Sequence, residues 1–217
     1  MRFLITAGPT REPIDPVRYL SNRSSGRMGY AIAEAAIEAG HEVILISGPV
    51  DIDRPRGAAV IPISTSDEMF RAVHQQTRNC DVLVMSAAVA DYKPAKVSKF
   101  KIKKRDADLS LELIPTRDIL ASLPVNRKYF VVGFAAETEN LEANAWKKLQ
   151  EKNCDIVVAN DVSHADFGME SDENEVAILF RDGEKKTISR APKKTVAREL
   201  IKIFENVCEK RLTKKIA

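Results

Sequence analysis

"FLITAGPTREPIDPVRYLSNRSSGRMGYAIAEAA", residues 3–36, passes from a short apolar run through a polar, proline-rich loop into an alanine-rich helix. The first five residues are continuously hydrophobic, as a strand covered on both faces must be. Five further runs follow the same rule: "HEVILISG" (41–48), "AAVIPIS" (58–64), "CDVLVMSAA" (80–88), "YFVVGFAAE" (129–137) and "CDIVVAND" (154–161). Helical patterns separate most of them, over Gly26–Ala39, Ser66–Arg78, Thr116–Leu123 and Glu139–Lys152. Strand–helix alternation of this kind predicts a doubly wound, mostly parallel, Rossmann-like α/β sheet with right-handed crossovers.

Two segments depart from the alternation. "SKFKIKKRDADLSLELI" (98–114) alternates polar and apolar residues about Asp106-Ala107-Asp108, which predicts a hairpin or a strand excursion off the main sheet, a flap or subunit arm. "NEVAILFRDGEKKTISR" (174–190) turns at Asp182-Gly183 and predicts an antiparallel hairpin added at a sheet edge. A closing helix is expected from Pro192 to about Arg211, and "TKKIA" (213–217) as a frayed end. The 217 residues are expected to form one domain, 1–217.

Composition excludes several classes. Hydrophobic residues make up 44% and charged residues 30%, ordinary for a folded domain. A net charge of +3 offers no bulk electrostatic basis for binding nucleic acid. Cys80, Cys154 and Cys208 are widely spaced and odd in number, so neither a disulfide framework nor a zinc site is expected, and each reads as a small buried hydrophobe. His41, His74 and His164 lack ligand spacing. With no apolar run of membrane-spanning length and no signal-peptide pattern, a cytoplasmic chain without membrane partners is expected.

Open α/β sheets bind ligands beyond the carboxyl ends of their strands. Gly8, Thr10 and the loop reaching to Gly29 overhang that crevice. Ser24 and Ser25 supply hydroxyls, Gly26 and Gly29 admit close backbone approach, and the following helix points its N-terminus at the ligand. Arg23 and Arg27 add cations. Ser86-Ala87-Ala88 allows backbone to lie close under a flat base or a sugar, with Asp91 at the strand's mouth. "PTRDIL" (115–120), "GFAAET" (133–138) and "ANDVS" (159–163) fall on the same edge. From residue type alone, Phe134 suits either the core or a base, Lys148 and Lys152 share a helix face ordinarily solvated, and the Lys101, Lys103, Lys104 run reads as a surface. A nicotinamide enzyme is disfavoured. Its glycines belong immediately after the first strand, and its ribose-binding acid should end the second, where Ser47-Gly48-Pro49 stands. Tyr92 and Lys96 match a short-chain reductase pair, but Pro94 breaks the helix such a pair requires.

"ITAGPTREPIDPVRYLSNRSSGRMG", "AAVADYKP", "KIKK", "VGFAAET" and "ANDVS…GMESDENEV" occur in one order and spacing across nearly the whole chain. Together they resemble phosphopantothenoylcysteine synthetase, the phosphopantothenate–cysteine ligase of coenzyme A biosynthesis, in its bacterial CTP-using form. The resemblance implies that 4′-phosphopantothenate is activated as an acyl-cytidylate with release of pyrophosphate, magnesium accompanying the triphosphate, and that L-cysteine then displaces CMP. It implies catalytic roles for Asn22, facing the acyl group as a hydrogen-bond donor, and for Lys101. It implies nucleotide binding by Gly8, Thr10, Ser24, Gly26, Ser86, Ala87, Asp91, Lys101, Arg117, Asp118, Ile119, Leu120, Phe134, Lys148 and Lys152, with Ala88 beside Asn22 at the substrate. Thr116-Arg117-Asp118 stands where relatives often read Asn-Pro-Asp, so base-side contacts differ there. The resemblance further implies a homodimer in which the excursion near the fourth strand crosses to the neighbour.

Overall fold

The computed structural model describes residues 1–104, 106, 108–161 and 171–214, and the side chains of all of these but 161 and 210–214. Its centre is an eight-stranded sheet built from β1 (Arg2–Ala7), β4 (Glu42–Ser47), β5 (Ala58–Pro62), β6 (Val82–Met85), β9 (Phe130–Glu137), β10 (Ile156–Asp161), β11 (Glu173–Phe180) and β12 (Lys185–Pro192). The order across the sheet is β12-β11-β10-β9-β6-β1-β4-β5. The six strands from β10 to β5 are parallel, and β11 and β12 are antiparallel additions at one edge. All six predicted parallel strands are present. The edge hairpin spans Glu173–Pro192, slightly beyond 174–190, and closes with Gly183 N–H on the Phe180 carbonyl, 3.0 Å, with Gly183 at φ +95°.

Alternate residues of each strand enter opposite layers, which is why the runs are hydrophobic without a break. Phe3, Ile5 and Ala7 join the layer packed by helices α1 (Arg27–Glu38) and α4 (Lys193–Lys214). Leu4 and Ile46 join the layer of α2 (Ser66–Gln76) and α3 (Leu141–Glu151). Helix α2 starts where its sequence says. The Thr65 hydroxyl accepts from Glu68 N–H, and the Glu68 carboxylate returns to the Thr65 N–H, a reciprocal cap.

Several expectations are corrected. Residues 116–123 form turns rather than a helix: Asp118 Oδ1 accepts from Ala121 N–H at 2.9 Å, and Pro124, lacking an N–H, ends the run. Pro192 closes β12, and α4 begins one residue later. The excursion off the main sheet is present, but its ladder lies at the base, between β7 (Tyr92–Pro94) and β8 (Leu113–Pro115), and not within 98–114. The described residues of 98–112 form no strand, so the alternation there finds no partner to pair with; Arg105 and Ala107 lie outside the described residues. A further small hairpin, β2 (Arg11–Pro13) with β3 (Tyr19–Ser21), folds the long loop after β1 back on itself. Its three-residue strands are too short to show a period.

Among the described residues no helix is long and apolar enough to cross a membrane. The three cysteines are thiols rather than disulfides, Cys154 and Cys208 buried and Cys80 half-buried. Burial, with the Asp81 carboxylate beside it, pushes the Cys80 thiol up to about 12, and burial pushes Cys154 up to about 11. Raised thiol pKa values mean less thiolate at any working pH. Iodoacetamide at pH 8, followed by mass spectrometry, should therefore leave both unmodified in the native protein and label them after unfolding; rapid native labelling of Cys80 would contradict this packing.

Candidate active site

The strand order reverses between β1 and β6, so the crevice of this sheet opens above the carboxyl ends Ala7 and Met85. Four hydrogen bonds lock the two outgoing loops together: Ala87 N–H to Thr6 Oγ1 (3.2 Å), Ala88 N–H to the Gly8 carbonyl (3.0 Å), Thr10 N–H to the Ala88 carbonyl (3.2 Å) and Ala90 N–H to Thr10 Oγ1 (2.9 Å). Thr10 is fully buried by this arrangement. Gly8 and Thr10 thus lie under the crevice and support its floor; neither lines it.

Helix α1 meets the same floor. Its N-cap Gly26 sits at φ +77°, with no side-chain cap, and no acidic residue occupies the first turn. An α-helix leaves its first N–H groups without intrahelical partners, and here that turn, Gly26–Gly29, lines the cleft. Close approach is possible because of Gly29: a Cβ there would lie 2.6 Å from Ala7 Cβ and 2.8 Å from Ser86 Oγ. An uncapped, acid-free helix start over a strand switch point favours an anion.

The cleft has two contiguous lobes, of about 260 and about 340 Å³, that share Ala87, Val89, Asp91, Phe134 and Lys148. The inner lobe holds Asn22, Ser24, Gly26, Ser86 and Ala88. The outer lobe holds Arg117, Asp118, Ile119, Leu120 and Lys152. Fifteen residues of the sequence are named above as site residues, counting Asn22 and Ala88 but setting aside the supporting pair Gly8 and Thr10; of these only Lys101 is absent from both lobes. It is exposed on the excursion between β7 and β8. Val162 and Ser163 of the "ANDVS" segment lie outside the described residues.

The charges are individually held. Lys148 donates from Nζ to the Phe134 carbonyl at 2.6 Å, and burial pushes its ammonium below the usual lysine range. Its face is the site and not solvent. Lys152 pairs with Asp118 at 2.6 Å, and that carboxylate raises its pKa. Arg117 turns outward to Asp67 at 3.0 Å, with its guanidinium 4.0 Å above the Phe70 ring, and Asp67 also takes Lys93 at 2.5 Å. Three further polar residues of the inner lobe, Asn160, Asn174 and Lys193, were not foreseen. Lys193 is buried, donates from Nζ to the Ser171 carbonyl, and has its pKa lowered by burial and by Arg27 nearby. Asn160 stood at the carboxyl end of a predicted strand, which was signal enough. Asn174 belongs to the "GMESDENEV" segment quoted above, which gave it no role of its own, and Lys193 carries no local motif and arrives only through packing.

Asn22 is held at the cleft by backbone carbonyls. Its Nδ2 donates to the carbonyls of Ala88 (3.3 Å) and Val89 (3.1 Å). The amide oxygen is an acceptor suited to an N–H rather than a donor to a carbonyl. Among the described residues no group of three or more His, Cys, Asp or Glu could hold a metal ion, and the carboxylates lining the lobes are Asp91 and Asp118.

Residues 1–207 match the family described as the DNA/pantothenate metabolism flavoprotein C-terminal domain. The chain belongs to this family. The coenzyme A biosynthesis bifunctional protein CoaBC of Bacillus subtilis (strain 168) is 48% identical over 200 residues, covering 91% of this chain and 49% of that protein. The Escherichia coli (strain K12) CoaBC is 43% identical over 190 residues, 85% of this chain and 47% of that protein. The chain spans about half the length of the curated relatives it matches. Among solved structures, the C-terminal domain of a CoaBC superposes with a TM-score of 0.82 at 44% identity, covering 96% of each chain. A Cab2 variant solved with phosphopantothenate-cysteine has the same fold, TM-score 0.82 at 17% identity, over 100% of this chain and 89% of that one.

Proposed function

We propose that this domain joins 4′-phosphopantothenate to L-cysteine in coenzyme A biosynthesis, using CTP, in the cytoplasm. One observation carries the reading: a single two-lobed cleft at the strand switch point brings an uncapped helix N-terminus, Asn22 and Asp91 together with a base-sized outer lobe. The nucleoside occupies the outer lobe, against Ile119 and Leu120, with the half-buried Phe134 and Lys148 at the junction. The triphosphate runs into the inner lobe, toward Ser24, the first turn of α1 and Lys193. Because Arg117 is engaged with Asp67 and Phe70, reading of the base edge falls to the backbone of 117–120 and to the Asp118–Lys152 pair.

A carboxylate oxygen of the acid attacks the α-phosphorus, the bond to the β-phosphate oxygen breaks, and pyrophosphate leaves. The amine nitrogen of cysteine then attacks the acyl carbon. The bond from that carbon to the phosphate oxygen breaks, CMP leaves, and the amine proton passes to solvent. Asn22, its amide oxygen unengaged, accepts from the incoming N–H, and the small side chains of Ala87 and Ala88 leave room at the acyl group. Magnesium, when bound, neutralises phosphate charge. Such an ion takes phosphate oxygens and one or two carboxylates, and Asp91 fits that requirement.

The working unit is a homodimer. Val97, Phe100, Leu109, Leu111 and Leu113 are exposed on the excursion, Phe100 by 81%, and an apolar arm of this kind is suited to cover a second copy. Lys101 rides on that arm, outside its own cleft, and serves the partner's.

The test is pyrophosphate release from CTP that requires phosphopantothenate, followed by CMP appearing only with cysteine. ATP measured in parallel reports the base preference. Silence with every nucleotide overturns the proposal.

A further inference from the structure

Asp15 has a side chain with no exposed surface, yet it lines neither lobe of the cleft. A buried carboxylate is costly unless its oxygens are filled and its charge is paired. Both conditions are met. Oδ1 accepts from the N–H groups of Val17 (2.8 Å) and Arg18 (2.9 Å). Oδ2 accepts from Arg18 Nε (3.1 Å), Arg18 Nη2 (2.5 Å) and, across the chain, Ile102 N–H (3.0 Å). Arg18 Nη2 also donates to the Ile102 carbonyl at 2.6 Å. The N–H and carbonyl of Ile102 are therefore both gripped by one ion pair, whose carboxylate is buried and whose guanidinium is partly exposed. A third contact joins the two segments four residues upstream, where Ser98 N–H donates to the Ile14 carbonyl at 2.9 Å.

Lys101 immediately precedes Ile102, on a segment that no sheet ladder holds. From this geometry we infer that Asp15 is a positioning residue, which through its carboxylate and Arg18 fixes the peptide next to Lys101 and so sets where that ammonium is delivered. The first two hydrogen bonds of Asp15 merely close its own turn. The contacts to Ile102 are what make the carboxylate act at a distance of 87 residues along the chain. The Arg18 guanidinium holds the Asp15 carboxyl well below the usual carboxylate range, so the clamp is charged at neutral pH and is released only as the pH falls far into the acid range. It works as a fixed anchor and not as a pH switch.

The inference rests on the ligase reading, and a four-protein cycle separates the two. Wild type, Asp15→Asn, Lys101→Ala and the double variant are compared in phosphopantothenate-dependent pyrophosphate release from CTP. Asp15→Asn keeps the size but turns an amide N–H toward the donors of Arg18 and Ile102. Its kcat should fall about 10- to 100-fold, as displacement of a catalytic group by an ångström or so does, with KM for CTP within a factor of about two. Added to Lys101→Ala, it should cost nothing further, because the group it positions is already gone. A purely structural residue would multiply the loss. Arg18→Gln removes the guanidinium that holds the Asp15 carboxylate and the Ile102 carbonyl, leaves the backbone next to Lys101 chemically unchanged, and takes the place of Asp15→Asn if that variant does not fold. Wild-type turnover in both single-site variants of the clamp, or losses that multiply with Lys101→Ala, overturn the inference while leaving the ligase reading standing. A silent wild type overturns the ligase reading and this role with it.

Discussion

Lys101→Ala should lower the turnover of pyrophosphate release by about 10²- to 10³-fold, ~2.7–4 kcal/mol of transition-state stabilisation, while leaving the fold untouched. The side chain is exposed, and its removal takes away no core packing, so thermal unfolding of the variant should coincide with wild type. The loss belongs to chemistry because a fixed cation is worth most where charge builds between the attacking and leaving oxygens. Lys101 lines neither lobe, and the proposed dimer assigns the lysine and the rest of the site to different copies. This has a direct consequence. Mixing Lys101→Ala with a variant damaged inside the cleft, and allowing the subunits to exchange, should restore up to about a quarter of wild-type activity, since half the dimers then carry one intact site. No recovery on mixing, with exchange verified, would show that the lysine serves its own chain.

Asn22→Asp should cut formation of the acyl-cytidylate by about 100-fold or more while changing KM for CTP several-fold at most. Two physical effects act together. The wild-type amide donates to the Ala88 and Val89 carbonyls; a carboxylate has no N–H to offer, and sets its own oxygens against those carbonyls. It also places a negative charge where a second carboxylate must approach a triphosphate. A nucleoside seated as proposed in the outer lobe, which Asn22 does not line, should feel little of this. Measuring the pyrophosphate exchange rate and CTP affinity separately distinguishes the cases, and an equal loss in both would remove Asn22 from the acyl group.

The α/β architecture was open to reading because it is written in short-range pattern. A strand buried on both faces must be apolar throughout, so β1, β4, β6, β9 and β10 announce themselves, as does the Asp182-Gly183 turn. The glycine-rich approach to α1 was legible for a similar reason: Gly26 and Gly29 answer local demands of backbone angle and clearance. Other features had no such signature. The turns at 116–123 carry a helix-like composition, and only Pro124 and the packing around Ile119 stop them. The lysine run looked like a solvated surface, and nothing in its spacing tells of the Asp15–Arg18 clamp.

By itself, then, the sequence determined the sheet, its parallel sense, its edge hairpin and the rim on which a ligand sits, since each depends on residues within a few positions of one another. Only the tertiary structure decided which side chains meet there. It brought Asn174 and Lys193 to a cleft begun by Asn22, turned Arg117 away to Asp67, sank Thr10 beneath the floor and carried Lys101 outside. The physical reason is that convergence follows from strand order and crossover packing, and these join parts of the chain whose separation leaves no periodic trace.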